Sequence, residues 1–305
     1  IYGSNEVGKT VIVENLGQRL LGGRVALESR LFAEHRQELA RKGQSRIFFV
    51  VDGKPIVILR NPSGRIHVKA SDRKEVLVSA QLSGSRVIVD AEQAGNRVEL
   101  ATQLAGPQTS SPADLRADFE ITVPTESELQ IRTDSGSVVI ESVHGDMSFD
   151  TVAADLALQD VEGMLAIKSV GGSLVCTRCA GRLDANTISG NFTMVQPMLD
   201  RVHLQTSSGN IFFDGDFLSR GIYVLKSYSG TIDVRFSDRN SFDVHATSLY
   251  GQVVNQAPVM PDAHRVSAPP PSMARSLIGS VNQGLGMARV ELSSFNGTIR
   301  ISKRE

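Results

Sequence analysis

Apolar residues recur along this chain with a beat of nine. From Thr133 the sequence runs TDSGSVVIE, SVHGDMSFD, TVAADLALQ, DVEGMLAIK, SVGGSLVCT, RCAGRLDAN and TISGNFTMV, seven units without a gap. Position four is Gly136, Gly145, Ala154, Gly163, Gly172, Gly181 and Gly190. Position six is Val138, Met147, Leu156, Leu165, Leu174, Leu183 and Phe192, and position eight is Ile140, Phe149, Leu158, Ile167, Cys176, Ala185 and Met194; all fourteen are apolar. Position two adds Val143, Val152, Val161, Val170, Cys179 and Ile188, which predicts about three inward groups per unit. Apolar residues two apart, followed by a Ser/Thr/Gly segment, describe a short strand and a corner, with glycine where the backbone needs positive φ or a close approach. One such strand cannot bury its face alone, but two per coil, stacked on the coils above and below, enclose an apolar interior. The pattern predicts an all-β, two-sheeted β-solenoid with about 18–21 residues per coil.

Beyond the strict units the phase persists with longer turns. TSSG, SYSG, SLYG and SFNG end at Gly209, Gly230, Gly251 and Gly297, and apolar pairs such as Ile211/Phe213, Ile232/Val234 and Ile299/Ile301 follow. The expected return strands carry Val202/Leu204, Tyr223/Leu225, Val244/Ala246 and Val290/Leu292, and NPSGRIHV at 61–68 is an early copy of the same signature. Residues 133–305 are therefore read as the regular solenoid, with a Pro-rich insertion at 255–286 before the last coil. A loop of that length is disordered or functional. Residues 47–132 read as an irregular β region forming the first coils and a cap. Residues 1–46 read as an arm with one amphipathic helix over 26–42, ALESRLFAEHRQELARK.

Composition agrees with strands. The 305 residues hold 27 Gly, no Trp and 5% aromatics, and no apolar run reaches the roughly 20 residues of a spanning helix. With 32 basic against 33 acidic side chains the formal charge is −1, which disfavours nucleic acid and other polyanions as partners. The first residue is Ile1 rather than Met, as expected where a leader or anchor has been removed or the chain trimmed.

The string ADFEITVPTESELQIRTDSGSVVIESVHGD, followed by SSGNI, SYSGTI and FNGTIRI, resembles the bacterial "putative-adhesin" family of β-solenoid domains of unknown function, over roughly Ile47 to Lys303. That resemblance implies a cell-envelope protein with no established catalytic residues, many of whose relatives carry a leader or a membrane anchor. The segment before Ile47 and the insertion after Asn255 depart from the family pattern.

Several motifs offer chemistry. GSNEVGKT at 3–10 fits the phosphate-loop pattern, yet that motif needs a buried strand before it and a parallel α/β sheet around it, so no nucleotide is expected. Cys176 and Cys179 are spaced as a redox pair or half a zinc site, but no second pair completes four ligands; the reading is two packing thiols, with a local disulfide as the alternative. Calcium-binding nonapeptide solenoids share the period, but their Asp ladder is missing here, since position five is Ser137, Asp146, Asp155, Met164, Ser173, Arg182 and Asn191. The acidic residues and the six His show no common phase, so no catalytic, metal or cofactor residue is assigned.

Position seven is more informative. On one sheet it runs Val139, Ala157, Val175, Thr193 and Phe212, bordered by Ser137, Asp155, Ser173, Asn191 and Asn210. A small-to-apolar stripe with a polar border predicts a packed face, covered by the arm or by another protein. Further contacts are expected from Leu27, Leu31, Phe32 and Leu39 of the arm and from Pro258, Met260, Pro261, Pro269, Pro270 and Pro271 of the insertion. The sequence thus predicts a non-enzymatic, extracytoplasmic scaffold that binds protein, as an accessory or stabilising subunit of a membrane-associated assembly. A surface adhesin for a glycan or host protein is the alternative, and a polysaccharide-active β-helix enzyme the second.

Overall fold

The computed structural model describes residues 2–4, 10–14, 44–83, 87–104, 116–261, 275–282, 284 and 286–304. Every regular element among them is a strand. The expected helix at 26–42 lies outside the described residues, as does most of the GSNEVGKT motif. The chain divides into two units, Ile1–Asp150 and Thr151–Glu305.

In the first unit the NPSG and TDSG corners, far apart in sequence, lie on neighbouring rungs. Gly64 pairs in register with Gly136, Ile66 with Val138 and Val68 with Ile140. Ile56–Arg60 runs parallel to both Glu128–Glu141 and Arg97–Leu104. Antiparallel strands complete the unit: Gln44–Val50 pairs with Glu75–Leu82, which pairs with Ala117–Pro124. Val87–Ala94 folds back on Arg97–Leu104 through a turn in which Gly95 has φ +61°, a conformation a side chain would resist. Thr10–Glu14 extends the antiparallel edge beyond Gln44–Val50.

The second unit is built from two parallel ladders. One joins Leu156, Leu174, Phe192, Ile211 and Ile232 in register. The other joins Leu165, Leu183, Val202 and Tyr223. Each strand buries alternate side chains: none of the fourteen position-six and position-eight residues is more than 3% exposed. Complete burial of each large aliphatic or aromatic side chain is worth about 1.5–3 kcal/mol, so the stacked interior holds the rungs together.

The last rung in sequence is not the last in space. Ile232 pairs with Ile299 and Val253 also pairs with Ile299; likewise Tyr223 pairs with Val290 and Val244 pairs with Val290. The coil 288–303, which follows the insertion in sequence, therefore sits between the coils 222–236 and 242–255. Part of the insertion supplies the cap instead. Ser276–Val281 runs antiparallel along Phe242–Ser248 and pairs on its other side with Met260–Pro261, covering the parallel edge.

Position two divides into two classes, which the nine-residue reading merged. Val143, Val161 and Cys179 are buried, whereas Val152, Val170 and Ile188 are 47%, 48% and 57% exposed. The coil has two unlike corners. The residues before the buried class, Ser142, Asp160 and Arg178, take left-handed φ values of +58°, +53° and +51°, which swings the following side chain inward. At the other corner a buried or half-buried Thr or Ser occupies position one and the next residue points out.

That buried hydroxyl explains the [Ser/Thr]-x-x-Gly signature. The N–H groups of Gly190, Gly209, Gly230, Gly251 and Gly297 donate to the hydroxyls of Thr187, Thr206, Ser227, Ser248 and Ser294, at 2.8–3.1 Å. The hydroxyls of Thr206 and Ser227 in turn donate to the carbonyls of Gly190 and Gly209 on the preceding rung, at 3.2 and 2.9 Å. Glycine is needed because the rungs close up here: a Cβ on Gly209 would lie 1.7 Å from the Gly190 carbonyl oxygen.

Cys176 and Cys179 are joined by a disulfide, and both are fully buried. The reading as two free packing thiols is corrected. The residues flank one corner with both side chains inward, and their Cα atoms stand 6.0 Å apart, within the span a disulfide bridges.

Candidate interaction surface

The predicted position-seven column exists as a stack. Ala157 lies beside Val175, Val175 beside Thr193 and Thr193 beside Phe212 on successive parallel rungs. Val139, in the first unit, lies beside His67. Val175 is exposed; Val139, Ala157, Thr193 and Phe212 are half-buried, each shielded by neighbours on its own sheet. The apolar run ends at Phe212, since the next rungs present Asp233 and then Arg300. The Arg235 guanidinium lies 5.0 Å from the centroid of the Phe212 ring, closing that end with a cation–π contact.

Past Phe212 the same face forms a concavity of about 550 Å³ lined by charged groups including Asp214, Asp233, Arg235 and Arg304. Four of these charges pair with one another. Arg304 Nε donates to Asp214 at 2.6 Å, and Arg235 approaches Asp233 at 3.4 Å.

The polar border is structural. Asp155 accepts the N–H of Ser173 at 2.8 Å, Asn191 accepts that of Asn210 at 2.8 Å, and Asn210 accepts that of Thr231 at 2.9 Å. Each side chain thus ties its rung to the next. Asp160 is likewise bound by Arg178 through two hydrogen bonds of 2.5 and 2.7 Å, and that guanidinium holds its carboxyl below the usual carboxylate range. No group of three His, Cys, Asp or Glu side chains that could hold a metal ion occurs among the described residues.

Two further surface features escaped the sequence reading. The first is the exposed file of Val152, Val170 and Ile188, one side chain per rung along the corner next to the Ala157–Phe212 column. The second continues along the same corner: Tyr228 stacks on Phe295 at 4.4 Å and Tyr250 meets Phe295 edge-on at 4.9 Å. The first left no clear signal, since the nonad SVHGDMSFD also begins with a hydroxyl residue, Ser142, yet buries its Val143. The second depends on the exchanged coil order and leaves no periodic trace.

Of the predicted insertion contacts, Pro258 and Met260 are exposed, Met260 to 53%. Pro261 pairs with Gly279. Pro269, Pro270 and Pro271, and the arm residues Leu27, Leu31, Phe32 and Leu39, lie outside the described residues.

Stacked coils with a hydroxyl-glycine corner, a dry interior and outward apolar files define a β-solenoid. The chain belongs to the Toastrack DUF4097 family, whose model matches residues 54–268, as the resemblance read from the sequence implied. No curated protein matches the chain. Among solved structures it is similar to a "putative cell adhesion protein" from Clostridium sporogenes ATCC 15579, at 13% identity and a TM-score of 0.24, over 86% of this chain and 100% of that one. It is also similar to a "putative lipid binding protein" from Parabacteroides distasonis ATCC 8503, at 10% identity and a TM-score of 0.33, over 86% of this chain and 97% of that one.

Proposed function

We propose that the protein is a non-enzymatic scaffold of the cell envelope that docks a protein partner along the Val152–Val170–Ile188 file and the column beside it, as an accessory subunit of a larger membrane-associated assembly. The observation that carries this reading is the file itself. Three branched aliphatic side chains, 47–57% exposed, are held at rung spacing on a corner whose backbone is fixed on both sides. Keeping such groups in water costs free energy that a partner's surface recovers. The carboxylates nearby support a non-catalytic reading because they serve the rungs: Asp155 holds Ser173 and Asp160 holds Arg178. The Cys176–Cys179 disulfide supports an oxidising, extracytoplasmic setting.

The test is a pull-down from native membranes with the intact chain and with a Val152→Glu/Val170→Glu variant. Both sites are exposed, so the variant should keep its melting temperature while a stoichiometric partner is lost at least tenfold. Undiminished recovery of the same partner by the variant would remove this surface from the function.

A further inference from the structure

In spatial order, four consecutive corners of the second unit read TSSGN at 206–210, SYSGT at 227–231, SFNGT at 294–298 and SLYGQ at 248–252. None carries a charge, although charged residues make up 21% of the chain. Their polar groups are hydroxyls and amides, able both to donate and to accept. Among them Tyr228, Phe295 and Tyr250 form one cluster on three successive rungs. Tyr228 is 55% and Tyr250 65% exposed, the latter more than any other large apolar side chain described. Tyr223, by contrast, is buried in the core and takes no part.

The stack has an open end. Phe295 covers one face of Tyr228 at an interplanar angle of 7°, so the other face looks along the rungs toward the corner 206–210. There the backbone ladder continues, with Tyr228 N–H donating to Thr206 and Ser207 N–H donating to Ile188. The side chain one rung from Tyr228 is therefore that of Ser207, and the next large one is that of Ile188. With rungs about 4.8 Å apart, a serine between two large side chains leaves a notch about one ring thick. Tyr228 walls it, Ile188 closes it, and the exposed Ser207 hydroxyl floors it.

We propose that this corner binds a neutral sugar, one ring seated in the notch against Tyr228 and the chain running over Phe295 and Tyr250. A pyranose presents an apolar C–H face, which packs on the negative face of an aromatic ring, and a rim of hydroxyls, which needs neutral partners with both donors and acceptors. Phenol rings flanked by Ser207 and by the exposed Asn296 amide supply both. The absence of charge argues against an anionic glycan, which would call for a fixed cation, and against an anionic membrane, which would call for a basic border.

The test uses the intact chain on an array of neutral homo-oligosaccharides of glucose, galactose, mannose and N-acetylglucosamine, with oligogalacturonate as the anionic control. The chain has no Trp and two of its four Tyr lie at the site, so a change in tyrosine emission can report on it. At least one neutral oligosaccharide should change that emission. Tyr228→Ala should weaken its binding tenfold or more, while Tyr228→Phe, which keeps the ring, should stay within about threefold. Ser207→Phe, a change at an exposed corner whose neighbouring rungs carry rings, should fill the notch and abolish binding with no loss of melting temperature. Absence of binding across the array, equal binding of oligogalacturonate, or binding that survives Ser207→Phe would overturn the proposal. So would loss of a protein partner from Tyr228→Ala in the absence of any sugar binding, which would assign the corner to protein. Val152→Glu/Val170→Glu leaves these corners untouched, so the two readings fail separately.

Discussion

The Ser248 hydroxyl donates to the carbonyl of Gly297, 2.7 Å away in space and 49 residues later in the chain. Gly297 in turn packs on Gly230, where a Cβ would come within 2.0 Å of the carbonyl oxygen. These contacts fix the exchanged order of the last coils, and two substitutions separate their contributions. Ser248→Ala strips the Gly251 N–H and the Gly297 carbonyl of a partner and should cost about 1–3 kcal/mol in urea unfolding. Gly297→Ala drives a methyl into backbone on a rung held from both sides and should cost about 3 kcal/mol or more, the upper end for overpacking. Equal effects of the two would mean that the rungs are not closely stacked at this corner.

Removing residues 288–305 should do more than shorten the stack of the second unit. In a simple solenoid the loss of a terminal coil leaves its neighbour as the new end. Here the deletion withdraws the shared partner of Ile222–Ser227 and Phe242–Ser248, leaving the latter with its antiparallel cap alone. Limited proteolysis of the shortened chain should cut throughout 237–261, whereas the intact chain should resist there. Protection of 242–255 in the shortened chain would show that this coil does not depend on the inserted one.

Tyr223 sets the alkaline limit of the second unit. Its hydroxyl donates to the Leu199 carbonyl at 2.5 Å and accepts the Leu218 N–H at 2.7 Å, amid Phe213 and Phe217. Burial pushes its pKa from 10.0 to about 12. Because the folded value is raised, the stabilisation is complete below the unfolded pKa and is lost as pH rises through the folded one, a window of about 10 to 12. Absorbance titration should show a late-ionising tyrosine that Tyr223→Phe removes. The variant should also be about 1–3 kcal/mol less stable at neutral pH, since it leaves the buried Leu199 carbonyl and the Leu218 N–H short of a partner. A titration in which all tyrosines ionise together near 10 would contradict this environment.

The repeat and its interior were legible because burial on a strand has a period of two and the corner glycines mark phase: Leu156, Leu165, Leu174 and Leu183 face the core as read. Position two misled for a physical reason. A nine-residue beat treats both corners as equal, but only one passes through a left-handed residue, and Ser142, Asp160 and Arg178 share no side-chain chemistry that would announce it. The exchange of the last coils was illegible too. SLYG and SFNG carry the same signature, and which lies next to SYSG is decided by strand pairing, not by order along the chain. The aromatic corner follows from that exchange, because it brings Phe295 between Tyr228 and Tyr250. The column from Ala157 to Phe212 was visible in the sequence, but its charged end at Asp233 and Arg300 was not, since Arg300 reaches that rung only through the exchanged coil.

Interleaving the coil 288–303 between two earlier ones also sets an order for assembly. Synthesis delivers residues at about 5–20 per second, and N-terminal parts begin to fold first. The rungs up to 236 can stack as they emerge, but 242–255 must wait beside an unfilled gap until residues 288–303 have left the ribosome. Residues 288–303 are thus the keystone of this part of the stack, and their arrival closes it from within.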